Sequence, residues 1–170
     1  NDVRLDPPVD TYISDKDYAA NFGEFLEKRP DDSPFCFWYG GHEPHRHYKE
    51  GEGIRAGKKV ENVDIPPYFP DDEIVKRDLL DYAYEIEWFD KHLGLMLEKL
   101  EEIGELNNTL IVVTSDNGAP FPRLKGQMYE EDFHLPLALC WKDVTPGERV
   151  VDDLVSFIDI APTFLDVAGT

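Results

Sequence analysis

Asp116 and Asn117 stand side by side at the end of the run Thr109-Leu110-Ile111-Val112-Val113-Thr114-Ser115, and Gly118 follows them. A β-branched apolar run of this kind reads as a buried strand. The strand therefore delivers a carboxylate and an amide oxygen together at its carboxyl end. Neighbouring oxygen donors suit a hard cation such as Ca²⁺ or Mg²⁺, whereas a histidine at 117 would suit a transition metal better. The Asp-Asn-Gly triplet is also a common turn former, and two ligands fall short of the roughly six to eight oxygens that Ca²⁺ takes. Lys125 follows across Pro120 and Pro122, which stiffen the connection, and precedes Gly126, where a backbone can approach closely. A hard-cation pair followed by a lysine points to chemistry on an oxyanion, with Lys125 as the anion ligand and Arg123 as a surface cation.

A second polar cluster comes earlier. Phe35-Cys36-Phe37-Trp38-Tyr39 reads as a short buried strand that stops at Gly40-Gly41, and His42, Glu43, Pro44, His45, Arg46 and His47 follow. Histidines three and five residues apart in a Gly/Pro loop suit metal binding, proton transfer or anion binding. The rigid Glu43-Pro44 step fixes His45, while His47 reads as an exposed loop residue. No nucleophile stands out: there is no Gly-x-Ser-x-Gly, no P-loop and no HExxH, and Ser115 beside Asp116 is weak support for one.

Other elements must position these residues. Ser14 is the expected N-cap of a first helix, with Asp17 at the capping-box position, Tyr18, Phe22, Phe25 and Leu26 at helical spacing, and Arg29-Pro30 as the stop. Residues 1–13 read as an extended lead-in, and 42–70 as a long polar loop of the functional kind. Asp71 or Asp72 caps a long helix to about residue 103, with Leu79, Tyr82, Ala83, Ile86, Phe89, Leu93, Met96, Leu97 and Leu100 on its apolar stripe and Gly104 closing it. Strands are expected at 110–114 and 135–141, a short strand or edge at 150–155, and a last helix from Asp159 to about Ala168. Strand, helix, strand implies a parallel pair with 35–39 beside 110–114. Open α/β sheets bind ligands at the carboxyl ends of their strands, so both polar clusters are expected on one sheet edge.

The formal charge of −19 argues against non-specific binding to nucleic acid or anionic membrane. Local cations must overcome that field if the substrate is an anion. They bunch as Arg46 and Lys49, as Arg55, Lys58 and Lys59, and as Arg123 and Lys125. Cys36 and Cys140 lie in apolar runs and read as free buried thiols. No run is long enough to span a membrane.

The segment Thr109–Gly118 resembles the second metal-binding segment of the sulfatase family, and Phe37-Trp38-Tyr39-Gly40-Gly41-His42-Glu43-Pro44-His45-Arg46 resembles its central histidine motif. Ile65-Pro66-Pro67-Tyr68-Phe69-Pro70-Asp71, the stretch from Arg77 to Tyr82, and Asp90-Lys91-His92-Leu93-Gly94 are similar to the same family's long helix and its approach. Asn117-Gly118-Ala119-Pro120-Phe121-Pro122 and Tyr129 resemble a narrower branch, the sulfamidases or heparan N-sulfatases. The resemblance implies an alkaline-phosphatase-like α/β fold, with a mostly parallel sheet flanked by helices and incomplete in this chain. It implies that Asp116 and Asn117 are two of four Ca²⁺ ligands, with Asp116 also helping to activate the nucleophile. His45 would contact the sulfate and the leaving atom, Lys125 would hold a sulfate oxygen, and His42 matches the motif with a less defined role in substrate binding. The implied substrate is a sulfated saccharide, as in glycosaminoglycan degradation, and the implied location is periplasmic or secreted in bacteria and lysosomal in animals.

The departures are informative. Family members use a formylglycine made from the cysteine of Cys-x-Pro-x-Arg, and neither Cys36-Phe37-Trp38 nor Cys140-Trp141-Lys142 fits. The N-terminal Asp-Asp metal pair and the Lys-x-His segment are also missing, and Asp31-Asp32 does not replace the pair. Residues 1–170 are therefore expected to be a middle-to-C-terminal part of a sulfatase catalytic domain, inactive alone and with no nucleophile of its own. The rival readings are a phosphoryl-transfer hydrolase of the alkaline phosphatase superfamily, against which Asn117 argues, and a non-catalytic pseudo-sulfatase or carbohydrate-binding domain.

Overall fold

The computed structural model describes residues 2–6, 12–31 and 33–170. Part of the expected lead-in, residues 1 and 7–11, and Asp32 lie outside the described residues. The first helix, α1, is Tyr18–Lys28, and its N-cap is Asp17, whose Oδ1 accepts from the Ala20 N–H at 2.9 Å. Ser14, the expected cap, is used otherwise: its N–H donates to the Glu43 carboxylate at 2.6 Å and its Oγ accepts from the Lys16 N–H. A short helix α2, Glu52–Arg55, and a 3₁₀ turn, Val60–Asn62, interrupt the long polar loop. The dominant element is α3, Glu73–Glu102, capped by Asp72, which accepts from the Ile74 N–H at 2.7 Å. Gly104 follows it in the left-handed region at φ 75°, which suits a residue without Cβ.

The apolar core lies where α1 crosses the second half of α3. Tyr18, Phe22 and Leu26 pack on Met96 and Leu100. Residues 33–40 run extended across this pair with no assigned strand. Their alternation is nonetheless that of a strand: Phe35, Phe37 and Tyr39 turn inward, while Cys36 and Trp38 are exposed. Phe37 sits 4.8 Å from the Phe22 ring and 5.1 Å from Phe25, and Tyr39 stacks on Phe89 at 4.5 Å.

The buried face of α3 changes character along its length. It runs through Leu80, Asp81, Glu85, His92, Met96 and Leu100, so its second half is largely apolar and its first half carries acids. The expected stripe through Leu79, Tyr82, Ala83, Ile86, Phe89 and Leu93 is instead half-buried, and Ile86 is exposed. The cause is what covers the helix: over its first half lies a loop whose backbone N–H groups need acceptors, not methyl groups.

Two strands pair, β1 (Ile111–Thr114) with β2 (Leu137–Cys140), in the register Ile111↔Cys140 to Thr114↔Leu137. This ladder is antiparallel, which corrects the expected mostly parallel sheet flanked by helices. Among the described residues 35–39 forms no ladder with β1, and the neighbour that β1 does have returns directly after the loop 115–136. A short helix α4, Glu130–Phe133, lies in that loop. No strand forms at 150–155; the chain passes to a 3₁₀ turn, Phe157–Asp159, and α5, Ile160–Ala168, which ends at Gly169. Cys36 and Cys140 are free, as expected, but exposed, because each lies on an uncovered outer face. No helix of the described residues is long and apolar enough to cross a membrane.

Truncating Phe22, 3% exposed, should lower stability by about 3–5 kcal/mol. Trp38→Ala, at a position 86% exposed, should change it by less than about 0.5 kcal/mol. Urea denaturation of the two variants measures the contrast.

Candidate active site

The two clusters singled out in the sequence hang from α3 by different means. The histidine loop is held by carboxylates. Glu85 Oε2 accepts from the His45 N–H at 2.8 Å. One turn earlier, Asp81 accepts from the Gly51 and Gly53 N–H groups, each at 2.8 Å. Gly53 lies so close to α3 that a Cβ there would come within 2.4 Å of Leu80 O, so only glycine fits. Glu43, within the loop, is itself buried and accepts from the Tyr18 hydroxyl at 3.0 Å as well as from Ser14. The Tyr18 oxygen in turn accepts from the His42 N–H at 3.0 Å.

The loop after β1 is held by aromatic packing. Phe121 and Leu124 are buried, and Phe121 meets Tyr82 of α3 edge-on at 5.6 Å and Phe69 at 5.9 Å. Asp132 in α4 closes the loop by accepting from the Gly118 and Gln127 N–H groups at 3.1 and 3.0 Å. Gly118 is required there: a Cβ would sit 2.7 Å from Glu131 O. The Lys125 N–H donates to Ala119 O at 3.1 Å, so the segment 119–125 is a closed turn.

Arg46 joins the two loops. Its guanidinium forms a double hydrogen bond with Asp78 on α3, donates from Nε to Pro120 O at 3.0 Å, and lies 4.8 Å from the centres of both the Tyr48 and Phe121 rings. The residue next to His45 thus fixes the turn that carries Lys125. His42 and His45 have their rings 4.9 Å apart. Both are exposed, and His45 Nδ1 lies against Arg46 O. A carbonyl only accepts, so Nδ1 carries the hydrogen and Nε2 is the ring nitrogen left for another partner. Asp116 and Lys125 are exposed and Asn117 is half-buried. Among the described residues no hydrogen bond or ion pair directly joins His45, Asp116 and Lys125; the structure brings their loops together, not their side chains.

The cations divide clearly. Arg46 is held by Asp78, Arg55 by Glu52, Lys58 by Glu87, and Lys49 lies 3.7 Å from Glu52. Arg123 lies 5.2 Å above the Tyr129 ring. Lys125 forms no ion pair with a described carboxylate. Of the middle cluster of the sequence, Arg55 and Lys58 are therefore paired surface cations, whereas Lys125 is left without an ion pair among the described residues.

Asp116 and Asn117 fit a hard cation as part of a shell only. The Asn117 amide nitrogen donates to Gly118 O at 2.8 Å, so the amide oxygen is the atom of that side chain left to act as a ligand. No group of three or more His, Cys, Asp or Glu side chains able to hold a metal occurs among the described residues.

Sequence reasoning gave no role to Asp78, Asp81, Glu85 or Asp132, and saw Arg46 only as one of the bunched cations, Glu43 as part of the rigid step before His45 and Tyr18 as an apolar position of the first helix. A signal existed for three of them. Asp78, Asp81 and Glu85 recur at helical spacing, and Asp81 and Glu85 continue into His92, Met96 and Leu100 on the buried face of α3, with Asp78 half-buried beside them. Burial pushes the Glu85 carboxyl up to about 7, and the nearby Glu43 and Asp81 charges add to the shift against the opposing His45 N–H.

A family model, Sulfatase, matches residues 1–170. The chain belongs to the sulfatase family. An ulvan-active sulfatase of Formosa agariphila is 33% identical to it over 131 residues, 77% of this chain and 22% of that protein. Human N-sulphoglucosamine sulphohydrolase is 29% identical over 165 residues, covering 84% of the chain and 33% of the relative. Human N-acetylglucosamine-6-sulfatase is 38% identical over 100 residues, 53% of the chain and 18% of the relative. This sulfatase chain thus spans a third or less of the length of these relatives. Membership carries the family's alkaline-phosphatase-like α/β fold, of which the chain shows a helix-rich part with one two-stranded sheet.

The raised Glu85 value sets a pH dependence. Between the usual 4.5 and about 7 the folded chain holds a proton on Glu85 that the unfolded chain has lost. The Glu85 contribution to stability is therefore full below 4.5 and is lost as pH rises through 7, on the order of 3 kcal/mol in all. Urea titrations at several pH values should show this fall in the wild type, and Glu85→Gln should remove that component.

Proposed function

We propose that this chain serves the hydrolysis of sulfate esters or N-sulfate groups on sulfated carbohydrate, by a Ca²⁺-dependent mechanism in which a formylglycine acts as nucleophile. The observation that carries the reading is the Arg46 bridge. It ties the histidine loop to the turn bearing Lys125, just beyond the oxygen pair at the end of β1. Names of relatives support the substrate class: one is an ulvan-active sulfatase, and others act as N-sulphoglucosamine sulphohydrolase or N-acetylglucosamine-6-sulfatase. The wide coverage of the sulphohydrolase supports N-sulfoglucosamine as the favoured unit.

In this reading Asp116 and Asn117 hold part of the Ca²⁺ shell. Bound Ca²⁺ supplies fixed positive charge that offsets charge on the sulfuryl oxygens. Lys125 binds a sulfate oxygen from the closed 119–125 turn. His45 directs Nε2 at the sulfate and the leaving atom, with Nδ1 already held by Arg46 O. His42, beside it, lines the substrate side. A tetrahedral sulfate needs donors converging from more than one side, and charge-assisted bonds of this kind are about twice as strong as neutral ones. Neither cysteine of the chain lies in a Cys-x-Pro-x-Arg sequence, so the nucleophile is expected from elsewhere in the protein.

Two measurements test this. Calorimetry on the 170-residue chain should show weak Ca²⁺ binding or none, since only two donors of the shell are assigned to it; tight stoichiometric binding that Asp116→Ala abolishes would show a fuller shell than proposed. In the intact enzyme, Lys125→Ala and His45→Ala should each lower turnover of a sulfated sugar by about 100- to 1000-fold. The same enzyme should prefer the sulfate or sulfamate over the matching phosphate ester, whose dianion carries more charge than one Ca²⁺ and one lysine offset. Faster phosphate turnover, or near-normal activity in both variants, contradicts the reading.

A further inference from the structure

Glu85 is only 3% exposed. A helix stripe that merely packs would bury a methionine or leucine there more cheaply than a carboxyl group. Two other buried carboxylates lie near it, and each already has its own donors: Glu43 has the Ser14 N–H and the Tyr18 hydroxyl, and Asp81 has the Gly51 and Gly53 N–H groups. The donor to Glu85 is the backbone N–H of His45. His45 itself is exposed, and its ring meets the His42 ring and Arg46 O rather than a packed core. Its position is set through the backbone: by Glu85 at its own N–H, and by Arg46, the next residue, through Asp78 and Pro120. His42 is tied in a matching way, through the Tyr18 oxygen to Glu43. The histidine pair therefore takes its geometry from buried groups on α1, α3 and the loop between them.

We infer that Glu85 is a positioning residue for His45, its buried carboxyl on α3 holding the His45 backbone so that the imidazole keeps one place relative to the Arg46-bridged 119–125 turn. The role in turnover rests on His45 meeting the sulfate as proposed above; the geometric part does not. The side chain needs an acceptor oxygen at this depth, so glutamine can replace it. Methionine, of similar length and without a strong acceptor, cannot.

The first arm of the experiment is amide hydrogen exchange, read by NMR on the 170-residue chain. Glu85→Gln should leave the His45 amide protected. Glu85→Met should speed its exchange by about tenfold, the ratio that one lost hydrogen bond gives, while the Leu100 amide in the core stays as protected as in the wild type. Equal His45 protection in the Gln and Met variants, or equal loss in both, overturns the inference. Should Glu85→Met also release the Leu100 amide, Glu85→Asp, one methylene too short to reach the His45 N–H, carries the same comparison.

The second arm is kinetic, in the intact enzyme. Glu85→Met should lower kcat by about 100-fold, the scale of a misplaced reacting group, with KM unchanged, and Glu85→Gln should restore most of it. Added to His45→Ala, Glu85→Met should lower kcat no further, because the two changes act through one ring. A further additive loss assigns Glu85 a merely structural role. A wild type without sulfatase activity refutes the functional reading alone and leaves the exchange result standing.

Discussion

Everything near the candidate site depends on one constraint: a loop without regular structure is laid against a helix, and its buried N–H groups must find acceptors. A buried unpaired amide is costly, of the order of a lost hydrogen bond or more. Asp81 and Glu85 supply those acceptors from the middle of α3, while Glu43, within the loop, accepts from the Ser14 N–H and the Tyr18 hydroxyl and so ties the loop to α1. The apolar half of α3 fixes where the helix lies against α1, and the acidic half fixes where the loop lies against the helix. The two functions share one buried stripe, so the position of the histidines is referred directly to the core.

Arg46 extends the same logic to the second loop. Its guanidinium alone makes every contact: it pairs with Asp78, meets Pro120 O and lies by two aromatic rings. A lysine could not reproduce a planar fork that is at once bidentate and stacked. In the proposed reading, hydrolysis of a sulfated substrate asks for cations and oxygen donors held at fixed separation, and the helix provides the common reference.

Much of this was legible in the sequence, but unevenly. Asp71 or Asp72 and Gly104 marked the ends of α3, Asp159 and Gly169 those of the last helix, and the β-branched run marked β1, because caps and periodicity are local signals. Asp116, Asn117, His45 and Lys125 stood out by type and position. Strand pairing was not local: 35–39 has the alternation of a strand and β1 a β-branched apolar run that is half-buried, but neither pattern says which segments are neighbours. Asp78, Asp81 and Glu85 were overlooked for a different reason. A carboxylate on a helix ordinarily faces water, and only the loop above it makes burial favourable. Arg46 was grouped with surface cations because its partners lie 32 and 74 residues away.

The extended segment 33–40 brings a practical consequence. It presents an outer face with Trp38 and the Cys36 thiol exposed, and it makes no ladder with another described segment. Such an edge is a template onto which a second copy can add its own extended segment. When the chain is handled alone, self-association should begin there, and an exposed thiol beside that edge can lock the pair covalently on oxidation. A reducing buffer and low protein concentration therefore limit that association.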